Sequence, residues 1–188
     1  MVKLARDAVL ELETRRRLYD VIHASPGLHF RELERRLGLA YGTLQYHLEF
    51  LKKHGLVVEE KVGDYARFFP TGFRSIRERE LLSLLRQKTV RHLLLFLLEK
   101  QGVRNRDLAQ RLKLSASTVS WHIGRLVASG AVEQEVKDGE TVYRVSEPEA
   151  VIQLLLTYKT SFVDEIVDRF IELWERENAS VLRKSHGR

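Results

Sequence analysis

Residues 14–60, TRRRLYDVIHASPGLHFRELERRLGLAYGTLQYHLEFLKKHGLVVEE, recur in altered form at residues 89–135, TVRHLLLFLLEKQGVRNRDLAQRLKLSASTVSWHIGRLVASGAVEQE. The two segments align without a gap, with Thr14 on Thr89. Identical residues occupy equivalent positions in the two segments, at the spacing typical of core and turn residues. These pairs include Leu33/Leu108, Leu37/Leu112, Thr43/Thr118, His47/His122 and Gly55/Gly130. An ungapped internal repeat of this kind predicts two copies of one fold.

Each copy has the pattern of three helices followed by a hairpin. The second helix is short and has apolar residues four apart, Leu33 and Leu37 in the first copy. After a tight turn, the third helix repeats apolar residues at i, i+4 and i+7, which leaves its opposite face polar. The hairpins are LVVEEKV-GD-YARFF and AVEQEVK-DG-ETVYRV, the second with the strong Asp-Gly turn signal.

This order of elements predicts a winged helix-turn-helix, whose recognition helix enters the DNA major groove. The predicted fold is mainly α with small β-wings: two tandem winged helix-turn-helix domains plus a C-terminal helical segment. The expected bounds are 1–74 and 75–147 for the two domains and 148–188 for the segment. A helical connector is expected near residues 75–88.

The segments RELERRLGLAYGTLQYHLEFLKKHGLV and RDLAQRLKLSASTVSWHIGRLVASGAV resemble the core of archaeal and bacterial winged-helix regulators of the ArsR and MarR type. The tandem arrangement with a helical tail is similar to archaeal regulators with paired winged-helix domains. The resemblance covers roughly residues 10–147. It implies a transcriptional regulator that binds double-stranded DNA.

The charge of the chain agrees with a nucleic-acid partner. Its 188 residues include 32 Lys and Arg against 26 Asp and Glu, a formal net charge of +6. The positive excess lies before residue 148, because residues 148–188 hold 6 basic and 7 acidic residues. Neutralisation of phosphates supplies most of the sequence-independent affinity for DNA. A basic protein without a nucleic-acid partner is the alternative.

Several classes of function are not expected from this sequence. The chain has no cysteine, which excludes disulfides, thiol nucleophiles and cysteine-ligated zinc, and its seven histidines form no tight pair on one helix. Gly-rich phosphate loops, HExxH and GxSxG are absent. We therefore expect no enzyme, cofactor or metal site. The longest apolar run, residues 93–98, is far short of a membrane span, and the N-terminus has no signal-peptide layout, so a cytoplasmic protein is expected.

The polar face of each third helix supplies the candidate DNA contacts. Gln can read adenine, Thr can contact a base edge or a thymine methyl, and Tyr, Ser and Lys can contact phosphates. The candidates in the first copy are Tyr41, Thr43, Gln45, Tyr46, Lys52, Lys53, Lys61 and Arg67. Those in the second copy are Ser117, Thr118, Ser120, Trp121, Arg125 and Lys137. An ordinary solvated helix face is the alternative interpretation.

The two copies are not expected to contribute equally. The second wing carries Glu133, Glu135 and Glu140 beside only Lys137 and Arg144, which would repel phosphates. Trp121 could instead pack between domains. An acidic wing and exposed aromatics also suit a protein-interaction scaffold, and a nonspecific architectural DNA-binding protein is a third possibility. The sequence does not indicate an effector, a target DNA sequence, or whether transcription is activated or repressed.

The tail is predicted to form helix over residues 148–178 and to mediate a homodimer. Pro148 suits a helix start. Apolar residues then recur over a wide arc, at Phe162, Val163, Ile166, Val167, Phe170, Ile171, Leu173 and Trp174. A wide exposed apolar arc marks an interaction surface, and a twofold dimer would suit a palindromic operator. The alternative is that the helix folds back over its own domains.

Overall fold

The computed structural model describes residues 12–62 and 65–178. The chain forms two compact units, Met1–Arg86 and Gln87–Arg188. The order of elements in each unit is the one that the repeat predicts, and the two three-stranded antiparallel sheets are the wings. No helix in the described ranges is long and apolar enough to cross a membrane.

The first unit contains four described helices and three strands. In chain order they are α1 Glu13–Ala24, β1 Leu28–His29, α2 Phe30–Leu37, α3 Tyr41–Lys53, β2 Val57–Val62, β3 Tyr65–Pro70 and α4 Ile76–Leu85. Strand β3 lies between β1 and β2. The core includes fully buried side chains from all three helices of the motif: Leu18, Ile22, Leu33, Leu44 and Leu51.

Local sequence fixes the helix-turn-helix of the first unit. His29 and Glu32 form a reciprocal capping box at the start of α2, where the backbone N–H of His29 donates to Glu32 Oε2 at 3.0 Å. Gly38, with a φ of 65°, ends α2 in the left-handed region that glycine adopts most easily. Only two residues, Leu39 and Ala40, separate that glycine from α3. This tight turn sets the direction of the third helix.

The second unit repeats this plan and adds two helices. Its elements are α5 Lys88–Glu99, β4 Val103–Arg104, α6 Asn105–Leu112, α7 Ala116–Ala128, β5 Val132–Lys137, β6 Glu140–Val145, α8 Pro148–Phe162 and α9 Glu165–Glu177. Strand β6 lies between β4 and β5. The expected Asp-Gly turn joins β5 to β6: Asp138 and Gly139 have φ values of 51° and 76°, the positive pair that a type I′ turn requires.

The first unit extends beyond the boundary predicted after residue 74. Helix α4 forms where a connector helix was expected, but its contacts tie it to the first unit. The Arg79 side chain donates to the carbonyl oxygen of Phe73 at 2.9 Å and pairs with Glu60 of β2. Arg86 Nε donates to the carbonyl oxygen of Pro26 at 2.9 Å. These buried and half-buried bonds explain why the division falls after Arg86.

The C-terminal segment is helical, as predicted, but it is two helices. The break lies at Val163, whose φ is 51°, and Asp164 caps α9 by accepting a hydrogen bond from the Ile166 N–H at 3.2 Å. Helix α9 packs against α8 and α5 of its own unit. Four members of the predicted apolar arc are consequently buried: Phe162, Val167, Phe170 and Ile171. The fold-back alternative therefore accounts for half of the arc. Residues 179–188 lie outside the described residues.

Candidate nucleic-acid interface

Helix α3 separates its buried and exposed residues cleanly. Leu44 and Leu51 are fully buried in the core and Leu48 is 2% exposed, which anchors the helix along its whole length. Four of the predicted DNA contacts lie on the solvent-exposed side of the helix: Tyr41, Thr43, Gln45 and Tyr46. The arrangement presents hydroxyl, amide and aromatic groups from a rigid support.

Both exposed tyrosines of α3 are supported by neighbouring rings. The Tyr41 ring lies 4.7 Å from that of Phe30 on α2, and 60% of the residue is exposed. Tyr46 is also 60% exposed and meets His47 edge-on, with ring centroids 5.2 Å apart. Each phenol is therefore held on one side while its hydroxyl remains open to a ligand. Supported aromatics of this kind lose little conformational entropy on binding.

The histidines repeated in the two copies belong to the packing of the recognition helices. His47 is buried, and burial, reinforced by the charge of Arg15, lowers its pKa. Burial and the charge of Arg125 likewise lower the pKa of His122. Within the described part of the chain, neither Nδ1 atom has a hydrogen-bond partner. Their environment favours neutral imidazoles that fill space beside an exposed aromatic residue.

The prediction that Arg67 faces DNA beside the wing turn is wrong. Arg67 lies within β3, where it pairs with His29 of β1 and Glu60 of β2, and it is 2% exposed. Its Nη1 donates to the carbonyl oxygen of Gly27 at 2.6 Å. Burial lowers the pKa of Arg67. The side chain is a structural donor because the C-terminal part of β3 is buried on both faces instead of alternating.

The lysines of the first unit differ in availability. Lys53, at the end of α3, and Lys61, on β2, are exposed. Lys52 is half-buried, and its Nζ lies 2.7 Å from Glu49 Oε1 and 2.5 Å from Glu59 Oε2. Hydrogen bonds to these two carboxylates raise the pKa of Lys52. Since two acidic neighbours already pair with Lys52, Lys53 and Lys61 are more available to a ligand than Lys52 is.

The structure adds a basic cluster that the sequence analysis missed. Arg31 and Arg35 are exposed on α2, and neither forms an ion pair within the described ranges. Burial lowers the pKa of His29; Glu32 opposes this shift, whereas the charges of Arg67, Arg31 and Arg35 reinforce it. Tyr65, exposed on the wing, stacks on His29 with centroids 5.6 Å apart. The four-residue spacing of the two arginines opposite Leu33 and Leu37 was the available sequence signal.

The reading face of the second unit has short, internally bonded side chains. Ser115 caps α7 by accepting from the Thr118 N–H at 3.1 Å, and its hydroxyl lies 2.9 Å from that of Ser117 and 2.8 Å from that of Thr118. The Asn105 amide donates to Ser120 at 2.8 Å. Ser117 and Ser120 are exposed, whereas Thr118 is half-buried. These hydroxyls therefore already form hydrogen bonds that stabilise the local structure of the second unit.

Trp121 is the prominent exposed group of α7. It is 57% exposed, and the guanidinium carbon of Arg125 lies 4.8 Å from its ring centroid. Around the second wing, arginines are paired with carboxylates: Arg144 Nη2 lies 2.7 Å from Glu133, and Arg104 Nη1 lies 2.5 Å from Glu140. Lys137 is exposed at the wing tip. The second wing consequently offers less free positive charge than its basic residues suggest.

Comparison with known proteins agrees with the two repeated domains. Residues 12–82 match a family model described as an N-terminal HTH domain, of the HVO_0163 type, and residues 86–133 match one described as winged helix-turn-helix DNA-binding. These matches confirm two tandem helix-turn-helix domains in a mainly helical chain with small antiparallel wings.

A curated relative is the "Uncharacterized HTH-type transcriptional regulator MJ1398" of Methanocaldococcus jannaschii. It is 31% identical over 144 residues, which make up 77% of this chain and 36% of the relative. The chain thus spans about a third of the relative's length. Among solved structures, a chain of the endosomal complex ESCRT-II (VPS22/VPS25/VPS36) aligns over 78% of this chain and 65% of its own length at 15% identity. Its TM-score of 0.29 is too low to bear on fold or function.

Proposed function

We propose that this chain, built from two tandem helix-turn-helix domains, is a sequence-specific double-stranded DNA-binding transcriptional regulator. The observation that carries the proposal is the division of α3. Its leucines are fixed in the core, while Thr43, Gln45 and the two tyrosines project into solvent. Such a helix fits the major groove, where glutamine can pair with adenine and threonine can contact a thymine methyl.

The first unit is the principal reader in this proposal. Exposed Lys61 lies on its wing, and Arg31 and Arg35 lie on α2, so cations flank the reading helix from two directions. The second unit adds weaker contacts through Trp121 and Arg125, because carboxylates engage several of its arginines. Phosphate contacts from both units position the protein, and base contacts from α3 select the site.

The experiment is selection of genomic fragments by the full chain, followed by fluorescence anisotropy on the selected duplex. We expect the logarithm of the binding constant to fall against the logarithm of salt concentration with a slope of roughly −4 to −7, equivalent to about five to eight phosphates. Unlabelled selected DNA should compete much better than random DNA. Equal competition by both would favour an architectural DNA-binding role, and a slope near zero would contradict the proposal.

A protein-interaction scaffold is the second candidate, and Trp121 favours it. An exposed tryptophan stacked by Arg125 resembles the aromatic and arginine anchors of protein interfaces. Failure of the full chain to bind any duplex at low salt would favour this function.

We also propose a homodimer through residues 148–178, with the elbow between α8 and α9 at its centre. Val163 is 85% exposed and has a φ of 51°, a conformation that is unfavourable for a β-branched residue. A strained and exposed apolar residue points to a role in binding rather than in folding. Two copies paired by a twofold axis would present two α3 helices to a palindromic site.

Val163→Asn separates these roles, because asparagine adopts positive φ more readily. We expect a more heat-stable chain that is monomeric by light scattering, whereas the unmodified chain is dimeric at micromolar concentration. Val136→Asn on β5, a similarly exposed valine outside residues 148–178, is the control and should leave the dimer intact. A monomeric unmodified chain would contradict the dimer.

A further inference from the structure

We propose that a cavity within the second unit binds a small amphipathic carboxylate, an aromatic or aliphatic acid. The cavity has a volume of about 320 Å³ and lies among α5, the C-terminal end of α6, and α9. This volume falls at the lower end of small-molecule sites. Binding of the acid is independent of the proposed DNA binding and is tested without DNA.

Most of the apolar lining of the cavity comes from helices α5 and α9. Helix α5 contributes Leu95 and Phe96, and α9 contributes Ile166, Phe170 and Leu173. The three α9 residues recur at i, i+4 and i+7 and therefore line one face of the helix. Ile166 and Leu173 are 45% and 46% exposed, so apolar surface remains in contact with water at the mouth of the cavity. An apolar ligand body would remove that surface from water, which is favourable.

The rim of the cavity is predominantly cationic. Arg111 in the last turn of α6 and Arg169 on α9 are both exposed and both line the cavity. In residues 12–62 and 65–178, neither guanidinium forms an ion pair. The Arg111 guanidinium carbon is 5.7 Å from the Phe96 ring centroid, so charge and apolar surface adjoin. Among the described residues, Glu99 is the one acidic side chain that lines the cavity, so two positive charges face one negative charge.

A second carboxylate, that of Asp164, lies next to the lining residue His92 and is already paired. His92 lines the cavity, and its Nε2 lies 2.9 Å from Asp164 Oδ2. The same oxygen accepts hydrogen bonds from Arg91 Nε at 2.9 Å and from Nη2 at 2.5 Å. Because Arg91 balances the charge of Asp164, this buried carboxylate opposes an incoming anion little. The arrangement of charges selects an acid over a neutral molecule or an amine.

The position of the cavity gives the ligand a structural consequence. Helix α6 is the first helix of the second helix-turn-helix pair and packs against α7. An acid held by Arg111 and Arg169 at once would tie α6 to α9 and limit movement of the pair. If the proposed DNA binding holds, the ligand would act as an effector through this link.

The test is isothermal titration calorimetry of the full chain with 2-naphthoate and with its neutral counterpart 2-naphthamide. We expect 2-naphthoate to bind one site per chain, and the amide to bind about tenfold more weakly, since it lacks the charge-assisted contacts. Arg111→Gln and Arg169→Gln should each weaken 2-naphthoate binding by about tenfold and leave the amide unchanged. Arg106→Gln on α6, outside the cavity, is the matched control and should bind as the unmodified chain does.

Two results would overturn the proposal. One is the absence of 2-naphthoate binding at millimolar concentration. The other is equal binding of acid and amide, or an equal loss in all three arginine variants. Circular dichroism of each variant establishes that the fold is retained.

Discussion

Arg67 Nη1 donates a hydrogen bond to the carbonyl oxygen of Gly27 at a distance of 2.6 Å. The glycine is fixed from both sides, because its own N–H donates to the carbonyl oxygen of Phe68 at 2.8 Å. Its φ of 80° and the Phe69 ring, 3.2 Å from where a Cβ would stand, restrict the position to glycine. The buried Arg67 of β3 thus holds the turn between α1 and β1 against the sheet that forms the wing.

Arg67→Met is therefore expected to act on stability and not on DNA affinity. The substitution leaves a buried carbonyl oxygen without its donor, which should lower the free energy of unfolding by about 1–3 kcal/mol. Urea denaturation of the full chain measures the loss. Affinity for DNA, measured well below the unfolding transition, should stay within about twofold of the original, because the side chain does not reach the surface. Unchanged stability together with a large loss of affinity would restore Arg67 as a DNA contact.

Gln45 is expected to determine sequence preference. Gln45→Ala should weaken binding to the preferred duplex by about 1–3 kcal/mol and relax discrimination at one base position. The matched change in the second unit is Ser120→Ala, because Ser120 occupies the corresponding position of α7 and already bonds Asn105. Anisotropy titrations with single-base variants of the site compare the two. Loss of discrimination in Ser120→Ala and its retention in Gln45→Ala would assign the reading to the second unit.

The two wings are expected to differ in their contribution to salt dependence. Lys61→Ala should weaken all duplex sequences about equally and reduce the magnitude of the salt slope by about one, as the loss of one phosphate contact does. Lys137→Ala should have a smaller effect, because Glu133 and Glu135 share its strand and Glu140 begins the next one. Binding measured over a series of salt concentrations tests both variants. Equal changes in slope would show that both wings meet DNA alike.

The repeated core was predictable from the sequence because it depends on periodic apolar residues and on turn residues. Leu44, Leu48 and Leu51 are buried, whereas Thr43, Gln45 and Tyr46 are exposed, as helical spacing predicts. The Asp138–Gly139 turn formed for the same local reason. Apolar spacing could not predict the boundary after Arg86, because that boundary depends on two side-chain hydrogen bonds. Arg86 donates to Pro26, which lies 60 residues earlier in the chain, and Arg79 donates to Phe73, which lies in a loop.

The correction at Arg67 and the reduced availability of Lys52 have a common physical cause. Residue type makes both of them candidates for DNA contact, but the fold gives Arg67 a carbonyl acceptor and Lys52 two carboxylates. Whether a charged side chain is available depends on tertiary partners. The same holds for the apolar arc of the tail: α9 packs against α5 and α8, Phe170 is buried and Val163 is exposed.

The buried ion pair between Arg91 and Asp164 predicts a pH-dependent stability of the second unit. Burial tends to raise the pKa of Asp164, but hydrogen bonds from Arg91 and His92 outweigh it, and the pKa lies below its ordinary value. A carboxyl whose pKa is lower in the folded state stabilises the fold above its unfolded pKa of about 3.9. That contribution is lost as the pH falls through the folded pKa.

Asp164→Asn keeps a residue able to cap α9 but removes the charge that balances the buried Arg91. At pH 7 we expect the free energy of unfolding to fall on the order of 3 kcal/mol, because an arginine buried without this carboxylate is costly. Below about pH 4 the difference from the unmodified chain should begin to shrink, because the unfolded chain takes up a proton at Asp164 there and the folded chain follows only as the pH falls through its lower pKa. Asp168→Asn, exposed on the same helix, controls for the general effect of removing one negative charge and should change stability little. The measurement is a set of denaturation curves for the three proteins between about pH 3 and pH 7. This range begins just below the ordinary aspartate pKa of about 3.9. A constant difference across this range would show that Asp164 acts through its cap alone.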